Sequence, residues 1–242
     1  MRILVCIDDT DNLESQGTGE LASSLAAGIE ASGWGQSSYV TRHQLLIHPD
    51  IPYTSHNSAM AFTAEVKPDC LEQITMHAAE FLASTSAEGS DPGLCIVDLD
   101  ALSLAGELLD FGCQAKKRVL TKDDAYALAE KLTIHLSEHG GTGQGVVGAL
   151  AGAGLRLGGN DGRLKGRLKL IEPQGRLTVA QLLEHPTVEV VRCEDGTVPV
   201  ADELVQLDEK VKTVLLGGQS VLLVERTEDG WCNLSRRKLK SY

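Results

Sequence analysis

The sequence predicts an α/β (α+β) protein, in which a ferredoxin-like β-α-β-β-α-β unit is followed by helices and then by a small β-rich C-terminal module. Short apolar runs of strand length alternate with stretches of helical periodicity through the first half of the chain. From about residue 160 the pattern changes, and strand-like runs alternate with Asp-Gly pairs. These observations predict one domain at 1–162 and a β-rich module at 163–242.

The first domain opens with an apolar, β-branched run that is typical of a buried strand. In the first helix, Leu21, Leu25 and Ile29 share one face, and the strand at 58–66 alternates apolar and smaller or polar residues. The predicted elements are a strand at 2–7, a helix at 18–32, strands at 39–48 and 58–66, a helix at 69–83, a strand at 94–99, and helices at 101–113, 122–138 and 146–157. The last helix is rich in small residues, which would allow close packing.

The module at 163–242 is predicted from three strand-like runs, at 165–171, 187–193 and 219–226. Asp-Gly pairs at 161–162, 195–196 and 229–230 separate them, and such pairs favour tight hairpins.

Composition excludes several classes of protein. The chain of 242 residues is 42% hydrophobic and 23% charged, which is ordinary for a globular protein with a real core. No apolar run approaches the length of about 18 residues that a membrane span needs, and carboxylates follow the first strand too soon for a signal peptide. The six cysteines form no Cys-x-x-Cys pair, which indicates reduced thiols and a cytoplasmic protein that does not bind membranes.

Charge is distributed unevenly along the chain. The net charge is −12, and residues 1–115 contain 17 acidic and 3 basic residues, whereas residues 116–242 contain 17 and 19. The acidic half would repel phosphates unless a divalent cation intervened. The basic stretch at 156–176 and the tail at 236–240 are either a solvated surface or a contact for nucleic acid.

The segment IDDTDN places Asp8, Asp9, Thr10 and Asp11 at the end of the first strand. Carboxylates this close repel one another, and Mg²⁺ is a partner that takes a few carboxylates and keeps other positions for water and phosphate. Gly17 and Thr18 then open a helix, whose first N–H groups would lie beside the metal. The alternative is that these residues serve only as turn and N-cap residues.

The glycine-rich segment HGGTGQG at 139–145 precedes the helix of small residues. Its N–H groups could bind phosphate, with Gly141, Gly143 and Gly145 as the candidate contacts. It lacks the GK[ST] ending of a Walker A motif and follows a predicted helix, unlike a dinucleotide-binding fingerprint. The alternative is a flexible helix cap and connector.

Other candidates are weaker. HLSEH at 135–139 matches the H-x-x-E-H zinc-protease pattern through His135 and His139, although His139 also suits the end of a helix. Lys117, in AKKRVL, and Arg42 are cations that would neutralise phosphate charge, or else solvated surface residues.

Several blocks together resemble one family. MRILVCIDDTDN, IHPDIPYTSHNSAMAFTAEV, SDPGLCIV, AKKRVL and GQGVVGALAGAGL occur in this order over residues 1–157. They resemble the kinase-like part of the archaeal agmatinylcytidine synthetase family, which modifies the anticodon of an isoleucine tRNA. The resemblance implies an ATP-dependent domain that handles a tRNA cytidine before agmatine is attached.

The resemblance also implies roles for individual residues. Asp8, Asp9 and Asp11 would be Mg²⁺-linked carboxylates, and Thr18 stands where the family has a threonine that becomes phosphorylated. Asn57 falls in the turn of the IPY block, and Lys117 matches the lysine of the AKKRVL block.

This chain departs from the family's pattern in three places. It reads GTGEL where the family has a Cys-Thr-Thr-like run, and Gln144 stands where the family has a basic residue between glycines. Family members continue into an oligonucleotide-binding barrel and a zinc ribbon. The cysteines of this chain lack the spacing that a zinc ribbon needs. The resemblance therefore supports a nucleotide-dependent core more than it supports agmatine transfer onto tRNA.

The resulting expectation is a protein that uses ATP and Mg²⁺ to transfer a phosphoryl or nucleotidyl group to an RNA or small-molecule acceptor. The expected catalytic residues are Asp9, Thr18 and Lys117, the metal ligands are Asp8, Asp9 and Asp11, and the nucleotide contacts are Thr10, Gly17, Arg42, Asn57, Gly141, Gly143 and Gly145. The alternative is a non-catalytic nucleotide-sensing or RNA-binding module.

Overall fold

The computed structural model describes residues 1–51, 57–166, 175–208 and 210–242. Contacts divide the chain into two compact units, Met1–Gly158 and Gly159–Tyr242. The boundary after residue 162 that the sequence suggests lies just inside the second of them. The strand predicted at 165–171 lies largely outside the described residues, as does part of the IPY block.

The first unit contains helices and strands in alternation. In chain order they are β1 (Arg2–Asp8), α1 (Thr18–Ala31), β2 (Gly35–Ser37), β3 (Thr41–Gln44), β4 (Ser58–Val66), α2 (Leu71–Thr85), β5 (Gly93–Asp98), α3 (Ala105–Ala115), α4 (Lys122–Leu132), β6 (His135–Glu138) and α5 (Gly145–Gly158). A 3-10 turn at Pro68–Cys70 leads into α2. The mixed α/β class predicted from the sequence is confirmed.

The strands of this unit form an antiparallel sheet in the order β6-β5-β1-β4-β3, and β2 also pairs with β4. β1 is its central strand, and residues Ile3–Ile7 are completely buried. Because side chains alternate along a strand, Ile3, Val5 and Ile7 pack against α1 and α2. Leu4 and Cys6 face α3, α4 and α5 instead. Asp8 continues this second series and therefore points towards α5.

Close packing between α5 and the sheet depends on small residues, as the sequence predicts. A Cβ atom at Gly152 would collide with the Cys6 thiol and the Ala59 side chain. Most residues of α5 are buried, including Arg156, which is only 7% exposed and donates hydrogen bonds to the hydroxyls of Thr41 and Ser38. Arg156 therefore does not contribute to a basic surface.

The helix predicted at 122–138 is wrong in its second half. α4 ends at Leu132, where Thr133 adopts a left-handed conformation (φ 57°). Residues His135–Glu138 then form β6, which pairs antiparallel with β5. The apolar spacing in this region also fits a strand, and pairing with a distant segment decides between the two.

The second unit is built mainly from short strands. It contains β7 (Arg163–Leu164), β8 (Arg176–Thr178), α6 (Val179–Leu183), β9 (Val190–Arg192), β10 (Leu204–Gln206), β11 (Val214–Leu216), β12 (Gln219–Thr227) and β13 (Gly230–Asn233), followed by a 3-10 turn at Lys238–Ser241. The sheet order is β7-β11-β12-β13-β10-β8, with β9 parallel to β12.

This unit has its own core. α6, β8, β10 and part of β12 bury one apolar cluster that includes Leu182 and Trp231. Leu234 and Leu239 cover a second cluster on β11 and β12. Of the three predicted Asp-Gly turns, the one at 229–230 joins two paired strands, β12 and β13, as a hairpin.

All six cysteines are free thiols. Within the described residues, no helix is long and apolar enough to cross a membrane.

Candidate functional site

A cavity of about 310 Å³ opens in the first unit beyond the end of β1. Its wall contains the last residue of β1, the first residues of α1 and α5, and residues of β3, β4 and the segment after α3. The end of a central strand and the starts of two helices therefore meet at one place.

The structure brings most of the predicted site residues to this cavity. Those that line it are Asp8, Asp9, Asp11, Gly17, Thr18, Arg42, Asn57 and Gly145. Those that do not are Thr10, Lys117, Gly141 and Gly143. Residues far apart in sequence thus line one cavity. The local conformation of the chain explains why the other four predicted residues do not reach it.

The acidic cluster lines one part of the cavity wall. Burial raises the pKa of Asp8 to about 8, and the negative charges of Asp9 and Asp11 contribute to this rise. The Asp8 carboxyl lies directly against the backbone of α5, so that a Cβ atom at Gly148 would overlap it. Burial, with the charges of Asp91 and Asp11, raises the pKa of Asp9 to about 6.

Backbone conformation contributes to this arrangement. Asp9 has a φ of 50°, in the left-handed region that aspartate tolerates better than most residues. This turn takes the chain out of the sheet. Thr10, the next residue, is completely buried, and its hydroxyl has no hydrogen-bond partner. Thr10 therefore faces the protein interior and does not line the cavity.

The start of α1 provides a positive end. Gly17 precedes the helix and supplies no side-chain cap for its first turn. The Thr18 hydroxyl, largely buried, donates a hydrogen bond of 2.9 Å to Asp11 Oδ1. The helix dipole at this wall favours an anionic ligand, and a hydroxyl stands beside a carboxylate that can accept its proton.

Two arginines line the same cavity. Arg42, on β3, donates a hydrogen bond of 3.0 Å from Nε to the Ser58 hydroxyl. Arg118 follows the end of α3, and its Nε donates to Gln114 Oε1 at 3.0 Å. Lys117 is exposed and outside the cavity wall. The sequence contains three consecutive cations here, and only the conformation after α3 shows which of them reaches the cavity.

Apolar side chains line another part of the wall. It includes Leu45, Ile51, Met60, Leu120 and Val147. Asn57 lies beside this part of the wall, and its side-chain amide donates a 2.6 Å hydrogen bond to the Leu46 carbonyl. A cavity lined by both charged and apolar side chains is typical of a site for a ligand with both kinds of group.

The glycine-rich turn acts mainly through its shape. Gly141 and Gly143 have φ values of 57° and 77°, which favour glycine. They direct the chain so that Gln144 and Gly145 reach the cavity. Gln144 and Gly148 also line the cavity, and neither is among the contacts that the sequence predicts.

Asp8, Asp9 and Asp11 present carboxylate oxygens at one cavity wall, and oxygen ligands of this kind suit a hard cation such as Mg²⁺. Among the described residues, however, no group of three or more His, Cys, Asp or Glu side chains could hold a metal ion alone. A cation at this wall would therefore need further oxygen ligands, such as those of phosphate and water.

The zinc-protease interpretation of HLSEH is wrong. The segment is an edge strand, on which His135 and His139 each lie within 2.9 Å of the Ser137 hydroxyl. Glu138 points to the other face of the strand, where it pairs with Lys122 at 2.7 Å. The glutamate of the motif therefore cannot act with the two histidines.

The fold and cavity define a mixed α/β protein with a ligand cavity at the end of its central strand. No family model and no curated protein matches the chain. Among solved structures, it is similar to the apo form of TiaS, an agmatidine synthetase that acts on an isoleucine tRNA, with 30% identity and a TM-score of 0.54. The resemblance predicted from IDDTDN and the later blocks is thus confirmed for the N-terminal part.

Two further structures give the same result. A complex of TiaS with its isoleucine tRNA and ATP, and a tRNA fluorescent labeling enzyme, are each 31% identical to this chain, with a TM-score of 0.56. Each match covers 64% of this chain and 36% of the other. A TiaS complex with the same tRNA, AMPCPP and agmatine covers 84% of this chain at 24% identity, which shows a shared fold. The chain spans about a third of the length of the first three structures (35–36%).

Proposed function

We propose that the first unit binds ATP with Mg²⁺ in the cavity at the end of β1 and transfers a phosphoryl or nucleotidyl group. One observation carries this proposal: Asp8, Asp9, Thr18, Arg42 and the start of α1 line a single cavity. The likeness to a TiaS structure solved with ATP supports it.

We propose further that β1 to β5 form a ferredoxin-like unit within a kinase-like domain, 1–162. The antiparallel order β5-β1-β4-β3 supports this assignment. The β-rich module at 163–242 would then be a separate addition to a cytoplasmic enzyme.

Each group in the cavity has a proposed task. Asp8 and Asp9 would hold Mg²⁺ together with phosphate oxygens, and the cation would neutralise charge on the phosphates. Arg42 and Arg118 would contact the same phosphates, a role that the sequence suggested for Lys117. The apolar wall would contact the base.

Thr18 acts either as a nucleophile or as a phosphate contact. As a nucleophile, its hydroxyl would give its proton to Asp11 and its oxygen would attack a phosphorus atom of ATP. ADP leaves if the γ-phosphorus is attacked, and pyrophosphate leaves if the α-phosphorus is attacked. The 2.9 Å hydrogen bond between Thr18 and Asp11 already has the direction that this proton transfer needs.

RNA is the acceptor class that we favour over a small molecule, because the similar solved structures include a complex with an isoleucine tRNA and ATP. A non-catalytic module that binds nucleotide or RNA is the alternative, and product formation distinguishes the two.

The test is a thermal-shift titration with ATP, GTP, CTP and AMP, each with and without Mg²⁺. A ligand at about 100 times its Kd stabilises the folded state by about 2.7 kcal/mol. We expect a Mg²⁺-dependent shift with ATP that Asp9→Asn abolishes. Asp110→Asn, which removes an exposed carboxylate of α3 outside the cavity wall, is the matched control and should keep the shift.

Chromatography of the nucleotide after incubation with RNA then separates an enzyme from a binding module. ADP or AMP formed in an Asp9-dependent manner supports transfer. ATP that binds but is not consumed favours the non-catalytic alternative, and a wild-type protein that no nucleotide stabilises contradicts the proposal.

A further inference from the structure

Thr142, at the exposed tip of the glycine-rich turn, has a partner for each of its polar groups. Its N–H donates to Asp91 Oδ1, and its hydroxyl donates to Asp91 Oδ2 at 2.6 Å. Its carbonyl accepts a hydrogen bond of 2.7 Å from Lys122 Nζ. An exposed turn residue is usually solvated, so these contacts indicate a turn that is fixed before any ligand binds.

Asp91 holds the same turn at two further points. Its carbonyl accepts a hydrogen bond of 3.1 Å from the N–H of Gly145, the first residue of α5. Its carboxylate fills the space that a Cβ atom at Gly141 would need. Asp91 thus determines where the chain enters α5, at the wall of the cavity.

Asp91 also lies next to the strand end that carries the acidic cluster. Gly93, two residues further on, pairs with Asp8 across β5 and β1. A Cβ atom at Gly145 would meet both the Asp91 carbonyl and, at 3.2 Å, the Asp8 carbonyl. Asp91 therefore belongs to the junction where the end of β1 and the start of α5 meet.

We propose that Asp91 is a positioning residue of the nucleotide site, which Thr142 holds in place and which couples the start of α5 to the cation-binding carboxylates. Both oxygens of Asp91 accept hydrogen bonds from Thr142, which hold its negative charge in one place. This inference rests on the proposed function, because it concerns how the same cavity discriminates Mg·ATP from free ATP.

The charge of Asp91 has opposite effects on the two ligands. It attracts a cation that accompanies the nucleotide, and it repels nucleotide phosphates that arrive without one. Asp91→Asn should therefore weaken binding of Mg·ATP and strengthen binding of metal-free ATP. A residue that only maintained the fold would change both affinities in the same direction.

Substitutions of Thr142 test the hydrogen bond to Asp91 separately from the charge of Asp91. Thr142→Val keeps Asp91 but removes the donor to its Oδ2, and it should weaken the binding of both ligands by about fivefold to tenfold, as loss of a typical intramolecular hydrogen bond implies. Thr142→Ser restores the donor and should restore both affinities. Thr85→Val is the matched control, because it removes a threonine hydroxyl that bonds Phe81 on α2.

The experiment is isothermal titration of the full chain with ATP in Mg²⁺ and with ATP in EDTA, after thermal melts have shown that each variant is folded. We expect Asp91→Asn to lower the Mg·ATP affinity about tenfold and to raise the affinity for metal-free ATP about threefold, which correspond to about 1.4 and about 0.7 kcal/mol.

Three outcomes would overturn the inference. Equal changes for both ligands in Asp91→Asn would show a structural role only, and unchanged affinities in Asp91→Asn and Thr142→Val would show no role in the site. Both results require that the wild type bind ATP. Absence of ATP binding by the wild type would overturn the proposed function, and the inference with it.

Discussion

Two segments lead into helices at the cavity, and they contribute in opposite ways. The segment 9–17, before α1, places carboxylates and Gly17 at the cavity wall. The segment 139–145, before α5, contributes only its last two residues, and its glycines give the turn its shape. The first segment contributes side chains that can bind a ligand, and the second contributes a backbone turn that determines where α5 begins. Glycine-rich sequence before a helix is therefore poor evidence for direct ligand contact.

The largest expected effect comes from the glycine at each helix entrance. A Cβ atom at Gly145 would collide with the backbone of Asp91 and Gly93, whereas a Cβ atom at Gly17 meets Asp11 at an ordinary 3.6 Å. We expect Gly145→Ala to cost about 3–5 kcal/mol and Gly17→Ala about 1 kcal/mol or less. Urea unfolding measures both. Similar costs at the two positions would remove the contrast between the segments.

The next effect concerns pH and the acidic segment. Because the pKa of Asp8 is raised from 3.8 to about 8, the folded state binds a proton that the unfolded state has lost between these values. The free energy of unfolding should therefore fall as pH rises from about 4 to 8, by up to about 1.4 kcal/mol per unit. Asp8→Asn should lack this fall and be more stable than wild type at pH 8 without ligand.

Urea midpoints at several pH values, in EDTA, measure this difference. The prediction is contradicted if the free energies of unfolding of wild type and Asp8→Asn fall in parallel as pH rises. A loss of stability by Asp8→Asn at pH 8 would mean that the carboxyl is held by a contact, contrary to the repulsion described above.

A smaller effect should distinguish the neighbouring cations. Arg118 lines the cavity and Lys117 does not. Arg118→Ala should weaken Mg·ATP binding about tenfold, and Lys117→Ala less than about twofold, because only a charge at the phosphates contributes substantially. Titration of both variants measures the ratio. The reverse order would reinstate Lys117 as the residue that contacts phosphate.

The smallest effect belongs to the hydroxyl at the start of α1. Thr18→Val removes the hydrogen bond to Asp11 and should lower the free energy of unfolding by about 1 kcal/mol. Thr18→Ser should recover that stability. If transfer goes through a Thr18 phosphoester, Thr18→Val abolishes product formation. If Thr18 only contacts phosphate, turnover persists with weaker binding.

Much of the first unit could be predicted from local patterns. The strand at 58–66 alternates cleanly and is found with the same limits as β4, and the buried run at 2–7 is β1. The carboxylates at the end of β1 could be predicted as a cavity lining because strand ends and helix starts place side chains predictably.

Other features depend on contacts between distant segments. His135–Glu138 became a strand because it pairs with β5, which no local spacing reveals. Arg118 reaches the cavity, and Lys117 does not, because of the conformation after α3. Asp91 was not singled out from the sequence, and its position follows from its hydrogen bond with Thr142, 51 positions later in the chain.

The left-handed conformation of Asp9 has a consequence for how mutations at this position are interpreted. A residue with φ of 50° can be exchanged for asparagine or glycine with little conformational penalty, whereas a β-branched residue would strain the backbone. The backbone at this position therefore accepts asparagine and glycine as well as aspartate. If only aspartate is functional there, the requirement is for its charge. A random library at codon 9 would separate the demands of folding from those of chemistry at a single position.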